Sequence, residues 1–394
     1  MAIAVTPADL VADLTARVRA AIGTSDPVPL HAPEFGPRER AMVTDCIDSG
    51  WVSSVGSHVD AFEAAVAEAC GTEHAVATVN GTSALQIALI VAGVRPGDEV
   101  LVPALSFVAT ANAVCHAGAV PHFLDSSIET LGLCPLALSA HLARVAERTG
   151  NGLVNRNTGR RLAAIVPMHV FGHPVDMAAL NAVAEDYGLP VVEDAAEALG
   201  SLYHDRPCGS LGQIAALSFN GNKILTTGGG GAVITSNGEW ARRARHLVTT
   251  AKRPHRWAFD HDEVGYNYRL PNLNAALGVA QMEALPDRLA RKRRLAGQYT
   301  KAFEGCTGAT VFGEPAHCRS NHWLNALVLQ DGAEVHRDAI LDGLNEAGLM
   351  VRPVWNLLNR LPMFVDCPAA PLPVASDLER RIVNVPSSAN LARP

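Results

Sequence analysis

The sequence predicts an α/β fold, a mostly parallel sheet flanked by helices and followed by a smaller α+β C-terminal unit. Three observations predict it. The 394 residues exceed what one small core uses, which points to about two domains. With 48% hydrophobic and 18% charged residues the composition is globular, so a large core can be filled. From Val59 to Glu193, short apolar runs alternate with longer helix-period segments, the pattern of βαβ units.

The elements follow in order. Thr6 as N-cap and Pro7 at the first helical position open a helix over residues 7–22, with Leu10, Leu14 and Val18 at helical spacing. An extended, Pro-rich stretch from Ser25 to Pro33 leads into a second helix, Pro37 to Ser49. Residues 1–50 therefore read as an N-terminal extension with helices, 51–285 as a large domain and 286–394 as a small C-terminal domain. The large domain runs through helix Asp60 to Cys70, strand Ala75 to Val79, helix Ala84 to Ala92, strand Glu99 to Pro103, helix Ala109 to Ala117 and strand Pro121 to Leu124. After a polar insert near Asn151 to Arg160 come the buried run Leu162 to Met168, helix Met177 to Tyr187 and strand Pro190 to Glu193. Beyond Ser218 the order changes to a Gly-rich turn, Gly228 to Gly231, strand Ala232 to Thr235 and a long helix from Asn272 to Ala290. The C-terminal unit shows strand Trp323 to Leu329, helix Val335 to Ala347 and strand Met350 to Val354.

Formal net charge is −7 and neither sign collects in long blocks, so no footprint for nucleic acid or an anionic membrane is present. The basic run Leu289 to Arg294 reads as a solvated helix face. Eight cysteines are scattered without C-x-x-C pairs or metal-ligand spacing, so reduced thiols and no metal site are expected. The N-terminus lacks a basic region followed by an apolar run, and no apolar stretch reaches the ~18 residues that span a bilayer. A cytoplasmic location is the expectation.

Three segments carry chemistry. Asn80-Gly81-Thr82-Ser83 stands between a strand and a helix, where free N–H groups and two hydroxyls suit a phosphate or form a plain capping turn. Asp194 ends the apolar strand that contains Val191 and Val192, the place where open α/β sheets bind ligands. A carboxylate there can hold magnesium, act as a base or pair with a pyridinium nitrogen. Lys223 is the one charge in Ser218-Phe219-Asn220-Gly221-Asn222-Lys223. It is either an exposed loop lysine or an amine whose pKa is lowered for Schiff-base chemistry. Together, a phosphate turn, a strand-end aspartate and a lysine match one cofactor that carries a phosphate, a pyridine ring and an aldehyde. That cofactor is pyridoxal 5′-phosphate.

From Pro29 to the C-terminus the sequence resembles the DegT/DnrJ/StrS family of sugar aminotransferases. The resemblance rests on NGTSALQIAL (Asn80 to Leu89), GDEVLVPALSFVATANAV (Gly97 to Val114), VVEDAAEALGS (Val191 to Ser201), SFNGNKILTTGGGG (Ser218 to Gly231) and GYNYRLPNLNAALG (Gly265 to Gly278). CIDSGWVSSVG (Cys46 to Gly56), the glycines Gly228 to Gly231 and RPVWNLL (Arg352 to Leu358) are most similar to the branch that makes 4-amino-4,6-dideoxy sugars for bacillosamine or legionaminic acid.

The resemblance implies an aspartate-aminotransferase-like fold (fold type I) with a seven-stranded-type sheet, and an enzyme acting on L-glutamate and a nucleotide-linked keto sugar. Lys223 would hold the cofactor as a Schiff base and shuttle the proton, with pyridoxamine 5′-phosphate between the two half-reactions. The acceptor would be C4 of a UDP-linked 4-keto-6-deoxy sugar, with C3 or a GDP- or dTDP-linked sugar as the alternative. Asp194 would pair with the pyridine nitrogen, Gly81, Thr82, Ser83 and Ser218 would hold the phosphate, and Phe107 would stack on the ring. Glu197 stands where relatives often carry His or Gln. Asn267 would reach the cofactor phosphate of a second subunit, so a homodimer with shared sites is implied. The loop Thr249 to Glu263, with Lys252 and Arg253, is either a solvent loop or a binder of the nucleotide diphosphate. His169, His322 and Arg352 are further substrate candidates. Dehydratase relatives replace the Schiff-base lysine with histidine, whereas this chain keeps Lys223. A non-catalytic cofactor-binding regulator is the rival of another class, and no G-x-G-x-x-G follows a strand to suggest a dinucleotide site.

Overall fold

Local capping chemistry sets the first elements. Thr6 Oγ1 accepts the Asp9 N–H, Pro7 begins the helix Pro7–Ile22, and Gly23 ends it in a left-handed turn at φ 71°. The second helix, Pro37–Ser49, has the bounds the sequence pattern predicts. The computed structural model describes residues 6–150 and 152–393.

The central sheet has two ladders. One runs His74–Thr78, Gly231–Thr235, Ile214–Ser218, Val192–Asp194; the other runs Leu162–Ile165, Glu99–Pro103, Val120–Leu124. Parallel bridges Ile165 to Val191 and Met168 to Asp194 join them into one seven-stranded sheet. Gly231–Thr235 is the one strand of the seven that runs against the direction of the others. All five residues of Glu99–Pro103 are buried, as required of a strand covered by helices on both faces. Two apolar cores result. Phe62, Leu138, Leu142 and Leu180 lie in one, and Leu85, Leu89, Val114 and Leu247 in the other.

The C-terminal unit is a four-stranded antiparallel sheet, Ala309–Val311, Asn325–Leu329, Ile382–Val385, Arg352–Pro353. Its core includes Leu295, Tyr299, Ile340, Leu344 and Val383 together with Leu10, Leu14 and Val18 of the first helix. The N-terminal helix therefore packs on the C-terminal unit, although more than 250 residues of chain separate Ile22 from Leu295.

Several sequence expectations are corrected. The long helix from Asn272 is two, Asn272–Glu283 and Leu285–Ala302, because Pro286 offers no N–H and its ring crowds the preceding turn. The polar insert forms a hairpin, Ala146–Thr149 with Gly152–Asn155. The strand expected from Met350 shortens to Arg352–Pro353. Leu289 to Arg294 is not a solvated face: Lys292 is wholly buried and its Nζ donates to the carbonyls of Trp323, at 2.8 Å, and Ser387. Arg293 donates to the carbonyls of Ser320 and Gly200, each at 3.0 Å. These charges tie loops to the helix. All eight cysteines are free thiols, and among the described residues no helix is long and apolar enough to cross a membrane.

Candidate active site

A cavity of about 640 Å³ opens beyond the carboxyl end of Val192–Asp194 and is closed on its far side by the C-terminal unit. Gly81, Thr82, Phe107, Asp194, Glu197, Ser218 and Lys223 line it. The fold thus brings these residues together in one hollow, whereas Ser83 does not line it.

The cradle follows from close packing. Asn80 caps the helix Gly81–Val91, its Oδ1 accepting the Ser83 N–H at 2.8 Å. The N–H groups of Gly81 and Thr82, in the first helical turn, have no intrahelical acceptor. A Cβ on Gly81 would come within 2.7 Å of the Ser218 Cβ, so only glycine lets the helix start meet the strand end. The result is a pair of free N–H groups beside the hydroxyls of Thr82 and Ser218, at a positive helix terminus.

Asp194 is 5% exposed. Its Oδ2 accepts the Thr110 hydroxyl at 2.7 Å and its Oδ1 the Ala196 N–H at 3.2 Å. Since Thr110 spends its proton on Asp194, the Ser106 hydroxyl, 2.7 Å away, donates to Thr110. Burial raises the Asp194 pKa, against the lowering effect of Thr110 and the charge of Lys223. A protonated pyridine nitrogen is the partner such a desolvated carboxylate lacks.

Lys223 sits over the Trp323 ring, 4.0 Å from its centroid, with Nζ 3.1 Å from Glu197 Oε1. Trp323 is fixed by its indole N–H, which donates to the Asn222 carbonyl at 2.6 Å. Glu197 Oε2 accepts the Phe171 N–H at 2.9 Å. Phe171 holds φ at 55°, a strained left-handed geometry for a bulky residue, and its ring packs 5.2 Å from Trp355. Burial pushes the Glu197 carboxyl up to about 7, opposed by Lys223.

The residues present therefore fit pyridoxal phosphate. Gly81, Thr82 and Ser218 suit its phosphate, Asp194 its ring nitrogen, Lys223 its aldehyde, and the half-exposed Phe107 one face of the ring. Other expected residues fall elsewhere. His169 is fully buried, with Nε2 3.0 Å from Glu193 Oε2 and Nδ1 accepting the Val175 N–H, so it lies outside the cavity lining. His322 packs edge-on against His173, also away from the lining. Arg352 does line it. Lys252 sits over Phe259, Arg253 lies 3.6 Å from Asp260, and Asn267 is exposed; none touches this cavity.

Sequence reasoning missed Thr110, His31, Trp323, Trp355 and Asn384. Thr110, which bonds Asp194, and Trp355 lay inside quoted motifs, whereas His31, Trp323 and Asn384 come from segments that meet only by tertiary packing.

Comparisons with known proteins identify the family. The chain is 35% identical over 375 residues to the GDP-perosamine synthase of Caulobacter vibrioides, covering 92% of this chain and 94% of that protein. The crystal structure of the aminotransferase TlmJ from Streptoalloteichus hindustanus superposes with TM-score 0.82 at 28% identity, over 92% of this chain and 93% of that one. DesI, solved in the presence of its TDP-sugar product, gives TM-score 0.81 at 29% identity, over 92% and 88%. With residues 33–393 matching the family model and the cofactor cradle assembled around Lys223, the chain belongs to the DegT/DnrJ/EryC1/StrS aminotransferase family, whose cofactor is pyridoxal 5′-phosphate.

Proposed function

We propose that the enzyme moves the amino group of L-glutamate to C4 of a nucleotide-linked 4-keto-6-deoxy sugar. The observation that carries this reading is the convergence of Lys223, Asp194 and the Gly81–Ser218 cradle in one cavity large enough for a sugar beside the cofactor. The bound cofactor supplies an electron sink for the carbanion. The chain's own residues do the rest. Lys223 Nζ holds the cofactor and carries the proton at the reacting carbon, Glu197 orients that amine, and Thr110 keeps Asp194 aimed at the ring nitrogen. The aromatic floor of Trp323, Phe171 and Trp355 excludes water from the amine.

The expectation of a UDP sugar now has a rival of equal standing, because a relative similar over 92% of this chain is named for a GDP sugar. Amination at C4 and the bacillosamine or legionaminic branch rest on the sequence motifs. Asn267, exposed and outside the cavity of its own chain, together with Lys252 and Arg253 supports a homodimer in which each subunit completes its neighbour's site. Holoenzyme given L-glutamate and a panel of GDP-, UDP- and dTDP-linked 4-keto-6-deoxy sugars is expected to release 2-oxoglutarate and an amino sugar with at least one of them. Turnover with none, alongside turnover of non-sugar ketones, would sink the reading.

A further inference from the structure

The C-terminal wall of the cavity carries polar groups that the protein does not satisfy. His31 lines the cavity, yet neither ring nitrogen has a hydrogen-bond partner among the described residues. Asn384, 3% exposed and also in the lining, has an unpartnered Nδ2. Native proteins pair nearly all buried polar groups, so two orphans on one wall of a ligand cavity mark where a ligand belongs.

Both side chains are held in place by well-paired backbone. The Leu30 carbonyl accepts the Ser387 N–H at 2.7 Å and the Ala32 N–H donates to Ser388 Oγ at 2.8 Å, clamping His31 between them. Asn384 lies in a strand and pairs directly with Arg352, which lines the same wall. His31 also borders a second, water-sized space behind Lys223, shared with Glu34, Gln281 and Arg288. The ring therefore stands close to the reacting amine.

We propose that His31 and Asn384 recognise the α-carboxylate of the amino donor, and this rests on the transaminase reading above. The wall is electropositive: besides burial, the charges of Lys292, Arg288 and Lys223 hold the His31 imidazole neutral. The lining carboxylates, Asp194 and Glu197, are both engaged elsewhere. In an α-amino acid the carboxylate is bonded to the reacting carbon, so it must lie next to Lys223. A nucleotide diphosphate lies several bonds further out, and the ring carbons of a sugar offer no charge for this field. Both imidazole nitrogens are buried behind the lining, and the soft torsion about Cβ–Cγ turns an N–H toward the carboxylate. The second carboxylate oxygen takes the Asn384 amide.

The two half-reactions separate the substrates, since kcat/KM for each is measured independently. In His31→Leu holoenzyme, kcat/KM for L-glutamate should fall roughly ten- to hundredfold, the loss of one charge-assisted hydrogen bond. The value for the keto sugar should stay within about threefold on the same scale. Asn384→Val should fall in the same direction, and His31→Gln, which keeps an N–H donor, should recover part of the loss. Thermal midpoint should not drop in His31→Leu, because the replaced nitrogens make no bond. Equal losses for both substrates, or an unchanged glutamate value beside normal wild-type turnover, would overturn the assignment. Wild-type enzyme that converts no α-amino acid would sink the transaminase reading and this wall with it.

Discussion

The two walls of the cavity differ in how their polar groups are engaged. On the sheet side each carboxylate already has partners: Asp194 has Thr110 and Ala196, and Glu197 has Lys223 and Phe171. On the C-terminal side His31 and Asn384 hold nitrogens with none among the described residues. A resident cofactor needs a pre-organised seat, whereas two substrates that take turns need groups left free to bind each. The pattern of satisfied and unsatisfied hydrogen bonds thus divides what stays bound from what comes and goes.

Four changes test that division, in order of expected size. Lys223→Ala should abolish the visible absorbance of the lysine-bound cofactor and lower turnover by at least ~10²–10⁴-fold, the range for a lost acid–base group; absorbance and steady-state rates check it. Asp194→Asn removes the charge proposed to pair with the ring nitrogen and should weaken cofactor retention by about 3 kcal/mol, or two orders of magnitude, read by equilibrium dialysis. Thr110→Val keeps that carboxylate but takes away its hydroxyl donor. A loss near 1–2 kcal/mol is expected, and titration with cofactor would expose a larger or absent effect.

The smallest effect concerns pH. Glu197 has its carboxyl raised to about 7 from an ordinary value of 4.5. The folded state therefore holds this proton more tightly, and the associated stability is complete below about 4.5 and lost as pH rises through about 7. Glu197→Gln removes that slope. In cofactor-free protein, the melting temperature of the variant relative to wild type should be higher at pH 8 than at pH 5; a difference independent of pH would contradict it.

Legibility in the sequence divides along the same line. The sheet-side wall is built from contiguous motifs, Asn80 to Ser83, Val191 to Glu197 and Ser218 to Lys223, because each is a strand end followed by its own turn. Local pattern and local geometry coincide there. The C-terminal wall takes His31 from a Pro-rich connection, Trp323 from the approach to a strand and Asn384 from within another. No spacing rule links those positions. Lys292 failed for a related reason: a run of charges looks solvated until the carbonyls of Trp323 and Ser387 arrive from distant segments to bond it.

The docking of the helix Pro7–Ile22 on Leu295, Ile340 and Val383 has a consequence for biosynthesis. At about 5–20 residues per second, the ribosome needs some tens of seconds to make the partners of a helix it has already released. Leu10, Leu14 and Val18 have no core to enter during that interval. The nascent chain therefore carries an uncovered apolar stripe until synthesis of the last strand, which makes this helix the segment that a chaperone would have to guard.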